Sequence, residues 1–128
     1  MLEKGITGSL ECIVTEEKTA KRMGSGELDV YATPSMIALM EETAYKSVSA
    51  ELDEGMGSVG TLMNVKLVAA SPVGMKITCK SELVEVDGRK LVFHVEAFDE
   101  EGLIGEGTHE RFIIQNEKFQ KKADSKRK

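Results

Sequence analysis

The chain has 128 residues, of which 41% are hydrophobic and 30% are charged, a composition typical of one globular domain. Its net charge of −5 hides a basic end, since residues 117–128 carry six Lys or Arg against two acids, a local +4 that leaves −9 on residues 1–116. An acidic body argues against nucleic acid as a partner, because phosphate binding requires clustered cations. We expect a single domain over residues 1–120 and a basic, disordered tail over residues 121–128.

The two cysteines and the N-terminal segment indicate a compartment. Cys12 and Cys79 have no CxxC partner, so neither predicts a disulfide or a metal site, and a reducing compartment would keep both as thiols. The N-terminus has no apolar segment after a basic start, and no run approaches the roughly 18 apolar residues of a membrane span. These features predict a cytoplasmic protein without a membrane partner.

The first half of the chain predicts one strand and one long helix. Residues 9–15 alternate as a strand, with Leu10, Cys12 and Val14 on one face. Residues 19–28 have the glycines and charges of a loop. Thr33-Pro34 marks the start of a helix that we expect to reach about Leu52. Its apolar stripe, which must be buried, consists of Ile37, Ala38, Ala44, Tyr45, Val48 and Leu52.

The second half predicts four strands, over residues 58–70, 75–86, 90–99 and 103–115. Turn residues separate them, and Asp87-Gly88 is the strongest hairpin signal. Consecutive hairpins predict an antiparallel meander. A chain of one strand, one helix and four more strands can bury the helix only if the sheet curls around it. This arrangement is the α+β hotdog fold. Strands of ten or more residues favour a sheet that continues across a homodimer.

Glu41 is the only charged residue on the apolar stripe of the helix. A buried carboxylate costs several kcal/mol unless it is paired or hydrated, so such a residue usually has a function. A pocket beside the helix would let Glu41 act as a general base or nucleophile. The alternative is a carboxylate satisfied by an ion pair at a dimer interface. Glu42 differs, because Lys46 lies four residues later as an exposed partner.

Thr33 has two interpretations. A threonine before Pro34 at a helix start is explained by capping alone. Alternatively, its hydroxyl and the free helix amides face the same cavity as Glu41, where they could receive a carbonyl oxygen or an oxyanion. The sequence leaves both open.

The remaining polar residues indicate neither a metal nor a cofactor. His94 and His109 lie on predicted strands, and no other ligand is spaced to make a metal site with either. Arg111 could hold a carboxylate or a phosphate, although a cross-strand ion pair is the commoner use. The sequence has no glycine-rich phosphate-binding loop, which excludes a nucleotide-triphosphate site. It also has no GxSxG motif, which excludes an α/β-hydrolase.

Four motifs together resemble the fluoroacetyl-CoA thioesterase-like family of hotdog acyl-CoA thioesterases, over residues 30–119. They are Tyr31-Ala32-Thr33-Pro34 with Leu39-Met40-Glu41, Gly57-Ser58-Val59-Gly60-Thr61, Ala69-Ala70-Ser71-Pro72-Val73-Gly74-Met75, and Gly105-Glu106-Gly107-Thr108-His109-Glu110-Arg111. The resemblance implies hydrolysis of a small acyl-CoA thioester in a pocket at a dimer interface. It also implies that Thr33 and Glu41 are catalytic, and that Gly60 and Arg111 bind the substrate.

The sequence departs from this family at one catalytic position. The resemblance implies a histidine on the strand after Gly60, and that position falls on Leu67, whose side chain cannot transfer a proton. A shift of one residue would bring Lys66 to it instead. His109 lies too far along the chain to be expected as a substitute. Three possibilities stay open: a slower thioesterase that uses Glu41 and water, a different acyl substrate, or a protein that binds an acyl-CoA or small ligand without turnover. A dimer with a purely structural role is a further hypothesis.

Overall fold

The computed structural model describes residues 1–127, in which one long helix packs against a five-stranded antiparallel sheet. The strands are β1 Thr7–Ile13, β2 Met56–Leu67, β3 Lys76–Asp87, β4 Lys90–Phe98 and β5 Leu103–Gln115. The helices are α1 Ala20–Met23, α2 Thr33–Val48 and α3 Asn116–Asp124. Each predicted strand therefore exists, with bounds within three residues of those predicted.

The order of the strands differs from a simple meander. The sheet has the order β1-β3-β4-β5-β2, so hairpins join β3 to β4 and β4 to β5 as predicted. The predicted hairpin between β2 and β3 is wrong, because β2 pairs with β5 at the opposite edge. The segment between β2 and β3 is no tight turn: Pro72 within it bridges Val30, the residue that leads into α2. β2 is consequently an edge strand.

The buried face of α2 is rotated from the predicted stripe. Ala44 and Val48 are buried as expected, but Ala38 and Tyr45 are exposed and Ile37 is only half-buried. The sheet instead covers the side of α2 that carries Met36, Leu39, Met40 and Thr43. The helix has apolar residues on both sides, and only one side meets the sheet. Glu41 therefore lies at the margin of the core and not within it.

The core lies between α2 and the inner face of the sheet. Alternate residues of each central strand point toward the helix, as the period of a β-strand requires. They are fully or almost fully buried: Ile77, Cys79, Leu83, Leu91, Phe93, Val95, Ala97 and Ile104. Cys12 and Cys79 are both free thiols, and burial raises the pKa of Cys79 to about 11.

Two segments predicted as irregular contain short helices. In the loop predicted at residues 19–28, Thr19 accepts a hydrogen bond from the Arg22 amide and caps α1, which Gly24 ends with a φ of 76°. The boundary predicted at residue 120 falls inside α3, so disorder was the wrong prediction for residues 121–124. Lys128, the end of that tail, lies outside the described residues. None of the described helices is long and apolar enough to cross a membrane.

Candidate active site

A cavity of about 250 Å³ lies between α2, β2 and the inner face of β5. Apolar and polar side chains contribute to its wall, which is formed by Ile37, Glu41, Gly60, Thr61, Leu62, Met63 and His109. The cavity thus contains two of the four predicted site residues, Glu41 and Gly60. Arg111 does not line the cavity but lies next to it, since its Nη1 is 3.7 Å from Glu41 Oε2.

Glu41 is accessible and not sealed. Its side chain is 46% exposed, so the burial that motivated its selection from the sequence is wrong. Glu41 is nevertheless the carboxylate of the cavity, because α2 presents it on the flank that faces β2. A carboxylate closed off in an ion pair would have favoured a purely structural role. This one combines an ion pair to Arg111 with an open side toward the cavity.

Gly60 makes the space beside Glu41. It lies on β2 opposite Arg111 on β5, next to an irregularity of the strand pairing between Gly60 and Leu62. A Cβ added at Gly60 would overlap Glu41 Oε2 and come within 3.1 Å of His109 Cε1 and 3.5 Å of Arg111 Nη1. Any larger residue would fill the point where these three side chains meet.

Arg111 is buried and fixed by several contacts. Its Nε donates to Ser58 Oγ at 2.8 Å, and its Nη2 donates to the Ser58 carbonyl oxygen at 2.8 Å. Its guanidinium carbon lies 5.7 Å from the ring centre of Tyr45, a cation–π distance. Burial lowers the pKa of Arg111, while the negative charge of Glu41 raises it. Of the two uses expected for Arg111, the structure shows contact with a carboxylate and not a cross-strand ion pair, since the acid that Arg111 faces comes from α2.

His109 is the site residue that the sequence argument missed. It is 1% exposed, its Nδ1 lies 2.9 Å from the Leu62 carbonyl oxygen, and its Nε2 lies 3.1 Å from Arg111 Nη1. Its ring stacks against Phe93 with the ring centres 6.2 Å apart. Burial is the main cause that lowers the pKa of His109, and the charge of Arg111 adds to it. Residues two apart on a strand share a face, so the spacing of His109 and Arg111 was a usable signal.

Thr33 and Leu67 lie outside this cavity. Thr33 is the exposed first residue of α2, whose N-cap is Ala32 without a side-chain capping bond, so the capping interpretation is wrong. Eight residues separate Thr33 from Glu41, about 12 Å along a helix axis. Leu67 pairs with Gly105 and packs on the core. Seven residues separate it from Gly60, about 23 Å along a strand.

The outer face of the sheet brings together a second polar group. His94, Glu96 and Glu106 place one ligand atom each within 4.8 Å of one another, so the expectation that no carboxylate is spaced to make a metal site with either histidine is wrong for His94. The reason is that His94 and Glu96 share a strand face, and Glu106 pairs directly with Glu96 across β4 and β5. All three side chains face solvent to a large extent.

Comparison with known proteins gives matches over most of the chain. The family described as fluoroacetyl-CoA-specific thioesterase matches residues 14–117. A fluoroacetyl-CoA thioesterase of Streptantibioticus cattleyicolor is 42% identical over 98 residues, which are 77% of this chain and 70% of that protein. A solved structure of a fluoroacetyl-CoA thioesterase superimposes with a TM-score of 0.94 at 35% identity, covering 100% of this chain and 99% of that one.

A more distant structure addresses the fold alone. A hot-dog-like protein from Thermanaerovibrio acidaminovorans is 20% identical and superimposes with a TM-score of 0.89, covering 99% of this chain and 94% of the other. Together with the five-stranded sheet and its long helix, these superpositions confirm the predicted hotdog fold.

Proposed function

Since this chain belongs to the fluoroacetyl-CoA-specific thioesterase family, we propose that it hydrolyses the thioester of a small acyl-CoA. The observation that carries the proposal is the accessible Glu41 carboxylate, which borders the cavity at Gly60 and lies 3.7 Å from the Arg111 guanidinium. Hydrolysis requires a base or nucleophile beside the carbonyl carbon, and a nearby positive charge favours the developing oxyanion. The cavity volume of about 250 Å³ supports a small acyl group.

In the proposed reaction, Glu41 removes a proton from a water molecule while the water oxygen attacks the thioester carbon. The Gly60 amide polarises the carbonyl oxygen, which becomes the oxyanion of the tetrahedral intermediate. Collapse of the intermediate breaks the carbon–sulfur bond, and the proton held by Glu41 passes to sulfur. The products are the carboxylic acid and the CoA thiol. The alternative route is direct attack by Glu41 on the carbonyl carbon, which breaks the carbon–sulfur bond, releases the CoA thiolate and leaves a mixed anhydride. Water then hydrolyses the anhydride to the carboxylic acid and the Glu41 carboxylate.

Arg111 and Thr33 have supporting roles in this proposal. Arg111 binds the acyl end of the substrate through its charge and keeps Glu41 turned toward the cavity. Thr33 lies two turns before Glu41 along α2, with Ile37 between them on the same side. We assign its hydroxyl to the substrate, at the end of this helix face that lies away from Glu41.

We further propose a homodimer formed along β2. β2 is a 12-residue strand at the edge of the sheet, and Leu62 on it is 43% exposed. The neighbouring flank of α2 exposes Ala38 and Tyr45. A long edge strand with apolar neighbours favours pairing with another strand. A second copy at this edge would also cover the Glu41 cavity and limit its access to bulk water.

The second candidate function is binding of an acyl-CoA or small ligand without turnover. The observation that favours it is Leu67, which occupies the position where the resemblance implies a catalytic histidine. His109 does not simply replace that histidine as a base, because both of its ring nitrogens already have partners. Under this alternative the protein keeps the cavity and the charge of Arg111, and acyl-CoA esters remain intact when bound.

A cytoplasmic location is part of the proposal. The free thiols of Cys12 and Cys79 are consistent with a reducing compartment.

The experiment that tests the proposal is hydrolysis of a panel of short acyl-CoA esters, fluoroacetyl-CoA and acetyl-CoA among them, followed by thiol release. We expect Glu41→Gln to lower kcat/KM by about 100-fold or more, because an amide cannot accept the proton of water. The matched control is Glu42→Gln, which removes the neighbouring exposed carboxylate and its 2.6 Å ion pair with Lys46. That variant should keep the activity within about twofold.

Each outcome has a distinct meaning. Full activity of Glu41→Gln would overturn the role of Glu41. If the unaltered protein binds the esters by calorimetry but releases no thiol from any of them, the binding function replaces the thioesterase. Hydrolysis in oxygen-18 water under single-turnover conditions separates the two routes, since only direct attack can leave an oxygen of Glu41 in the acid and the label on Glu41.

A further inference from the structure

His109 is a buried histidine for which the proposed reaction has no step. Each of its ring nitrogens has a partner, Leu62 on β2 and Arg111 on its own strand. We propose that His109 is a positioning residue, whose neutral ring accepts a hydrogen bond from Arg111 and so holds the guanidinium beside Glu41. This inference rests on the proposed function, and it concerns how the charge at the cavity is kept in place.

The partners of the ring define its tautomer. The Leu62 carbonyl oxygen only accepts hydrogen bonds, so Nδ1, 2.9 Å away, carries the proton. Arg111 Nη1 only donates, so Nε2, 3.1 Å away, carries the lone pair. A neutral imidazole with its proton on Nδ1 satisfies both contacts. The opposite tautomer would bring two donors together at Arg111 and two acceptors together at Leu62.

The contact with His109 completes the restraint of Arg111. Ser58 accepts from Nε and Nη2, both at 2.8 Å, and leaves Nη1 to be held by the other side of the site. On that side Nη1 lies 3.1 Å from His109 Nε2 and 3.7 Å from Glu41 Oε2. Without an acceptor at Nε2, a buried donor of a cation would lose its partner. Because the guanidinium is planar and rigid, Nη1 cannot turn alone, and the whole group would be restrained only by Ser58 and by the 3.7 Å contact with Glu41. Its position beside Glu41 would then be less well fixed.

Protonation of His109 would break this arrangement. The imidazolium donates from both nitrogens, so Nε2 would face the donor Nη1 of Arg111. The charged groups that face the ring are Arg111 from β5 and Glu41 from α2, while Leu62 and Met63 of β2 and Phe93 of β4 contribute no charge. Burial, followed by the charge of Arg111, lowers the pKa of His109, which keeps the ring neutral at neutral pH.

The test compares two variants that each keep one half of the histidine. The longer side chain introduced by His109→Gln can place its amide oxygen near the position of Nε2 and accept from Arg111. The shorter amide introduced by His109→Asn can donate to the Leu62 carbonyl but does not reach Arg111. We expect His109→Gln to retain kcat within about threefold, and His109→Asn to lose about 10- to 100-fold, the value of a hydrogen bond to a charged group. Thermal unfolding establishes that both variants fold.

Two further measurements distinguish positioning of Arg111 by His109 from a merely structural role of His109. In nitrogen-15 spectra of the folded protein, we expect Nδ1 protonated and Nε2 unprotonated at neutral pH. As the pH falls below about 6.5, the ordinary pKa of histidine, His109 takes up a proton in the unaltered enzyme and kcat should fall, and this component should be absent from His109→Gln. The same spectra give the pH at which His109 is protonated, and this pH must agree with the one at which kcat falls.

The outcomes separate this inference from the proposed function. A proton on Nε2, or equal activity of the folded His109→Gln and His109→Asn variants, would overturn the role of His109 while the thioesterase stands. If the unaltered protein hydrolyses no ester, the proposed function fails, and the tautomer with its response to pH is still decided by the spectra. A calorimetric affinity for the acyl-CoA that falls in His109→Asn but not in His109→Gln would then support the same positioning of Arg111 in a binding site.

Discussion

At the scale of single residues, Gly60 controls how closely a substrate can approach Glu41. The only strand atoms at this position are backbone atoms, and a Cβ would overlap Glu41 Oε2 and come within 3.1 Å of His109 Cε1. Glu41 is on the exposed side and can turn outward, whereas His109 is held by two hydrogen bonds. A side chain at position 60 therefore displaces the Glu41 carboxylate before it disturbs His109 or the strand pairing.

We predict that Gly60→Ala lowers kcat/KM by about 100-fold, because displacement of a reacting group by about 1 Å has an effect of that order. The melting temperature should change little. The control is Gly57→Ala on the same strand, where the added Cβ would meet the side chain of Asn116 and not Glu41. Steady-state kinetics and thermal unfolding on both variants check the prediction, and an active Gly60→Ala would contradict it.

The composition of the site could be predicted from the sequence only in part. Motif resemblance identified Glu41, Gly60 and Arg111, and the structure brings these three together. The physical argument for Glu41 failed, because an apolar residue on a helix does not reveal which of two apolar sides meets the sheet. His109 was missed because strand pairing between distant segments determines its neighbours, and no local pattern encodes that pairing.

At the scale of elements, α2 approaches β1 closely at Gly8. A Cβ at Gly8 would lie 2.8 Å from Ser47 Cβ, 2.9 Å from Ser81 Oγ and 2.9 Å from the Thr43 carbonyl oxygen. Two of these atoms belong to the helix and one to β3, so neither a rotamer change nor a small local shift relieves all three contacts. The absence of a side chain at this position sets the distance between the helix and the sheet.

We predict that Gly8→Ala destabilises the protein by about 1–3 kcal/mol, the usual cost of overpacking. Gly26→Ala serves as the control, because Gly26 lies in the loop after α1 and its added Cβ would meet only Ala20 Cβ at 3.3 Å. Urea unfolding followed by circular dichroism gives both free energies. Equal stabilities of the two variants would show that α2 can move away from β1 without cost.

The elements themselves were largely predictable, but their arrangement was not. Alternation and turn residues located every strand, since these signals are local. The partner of β2 was predicted wrongly, because a hairpin signal links only neighbours in the sequence. Nothing in residues 68–75 indicates that the chain crosses from the edge strand β2, past β5 and β4, to β3.

At the scale of the whole molecule, the exposed edge at β2 makes the association of two copies testable. We predict that Leu62→Lys weakens the homodimer, because a charge on this edge opposes strand pairing. The control is Val84→Lys, since Val84 on β3 is similarly exposed, at 41% against 43%, and lies away from that edge. Sedimentation velocity over a range of protein concentrations gives the populations. A fully active monomer of the unaltered protein would contradict the proposed dimer.

The pairing of β2 with β5 also affects the order in which the protein folds during its synthesis. The residues that meet at Gly60 come from strands about fifty positions apart in the chain, with β3 and β4 between them. Contacts of such long sequence separation close late, because the entropy of a large loop must first be lost. During synthesis β5 leaves the ribosome after the other four strands, so the hairpins β3–β4 and β4–β5 can form first and present the edge with which β2 then pairs. The site around Glu41 is therefore completed late, only after β2 has paired with β5.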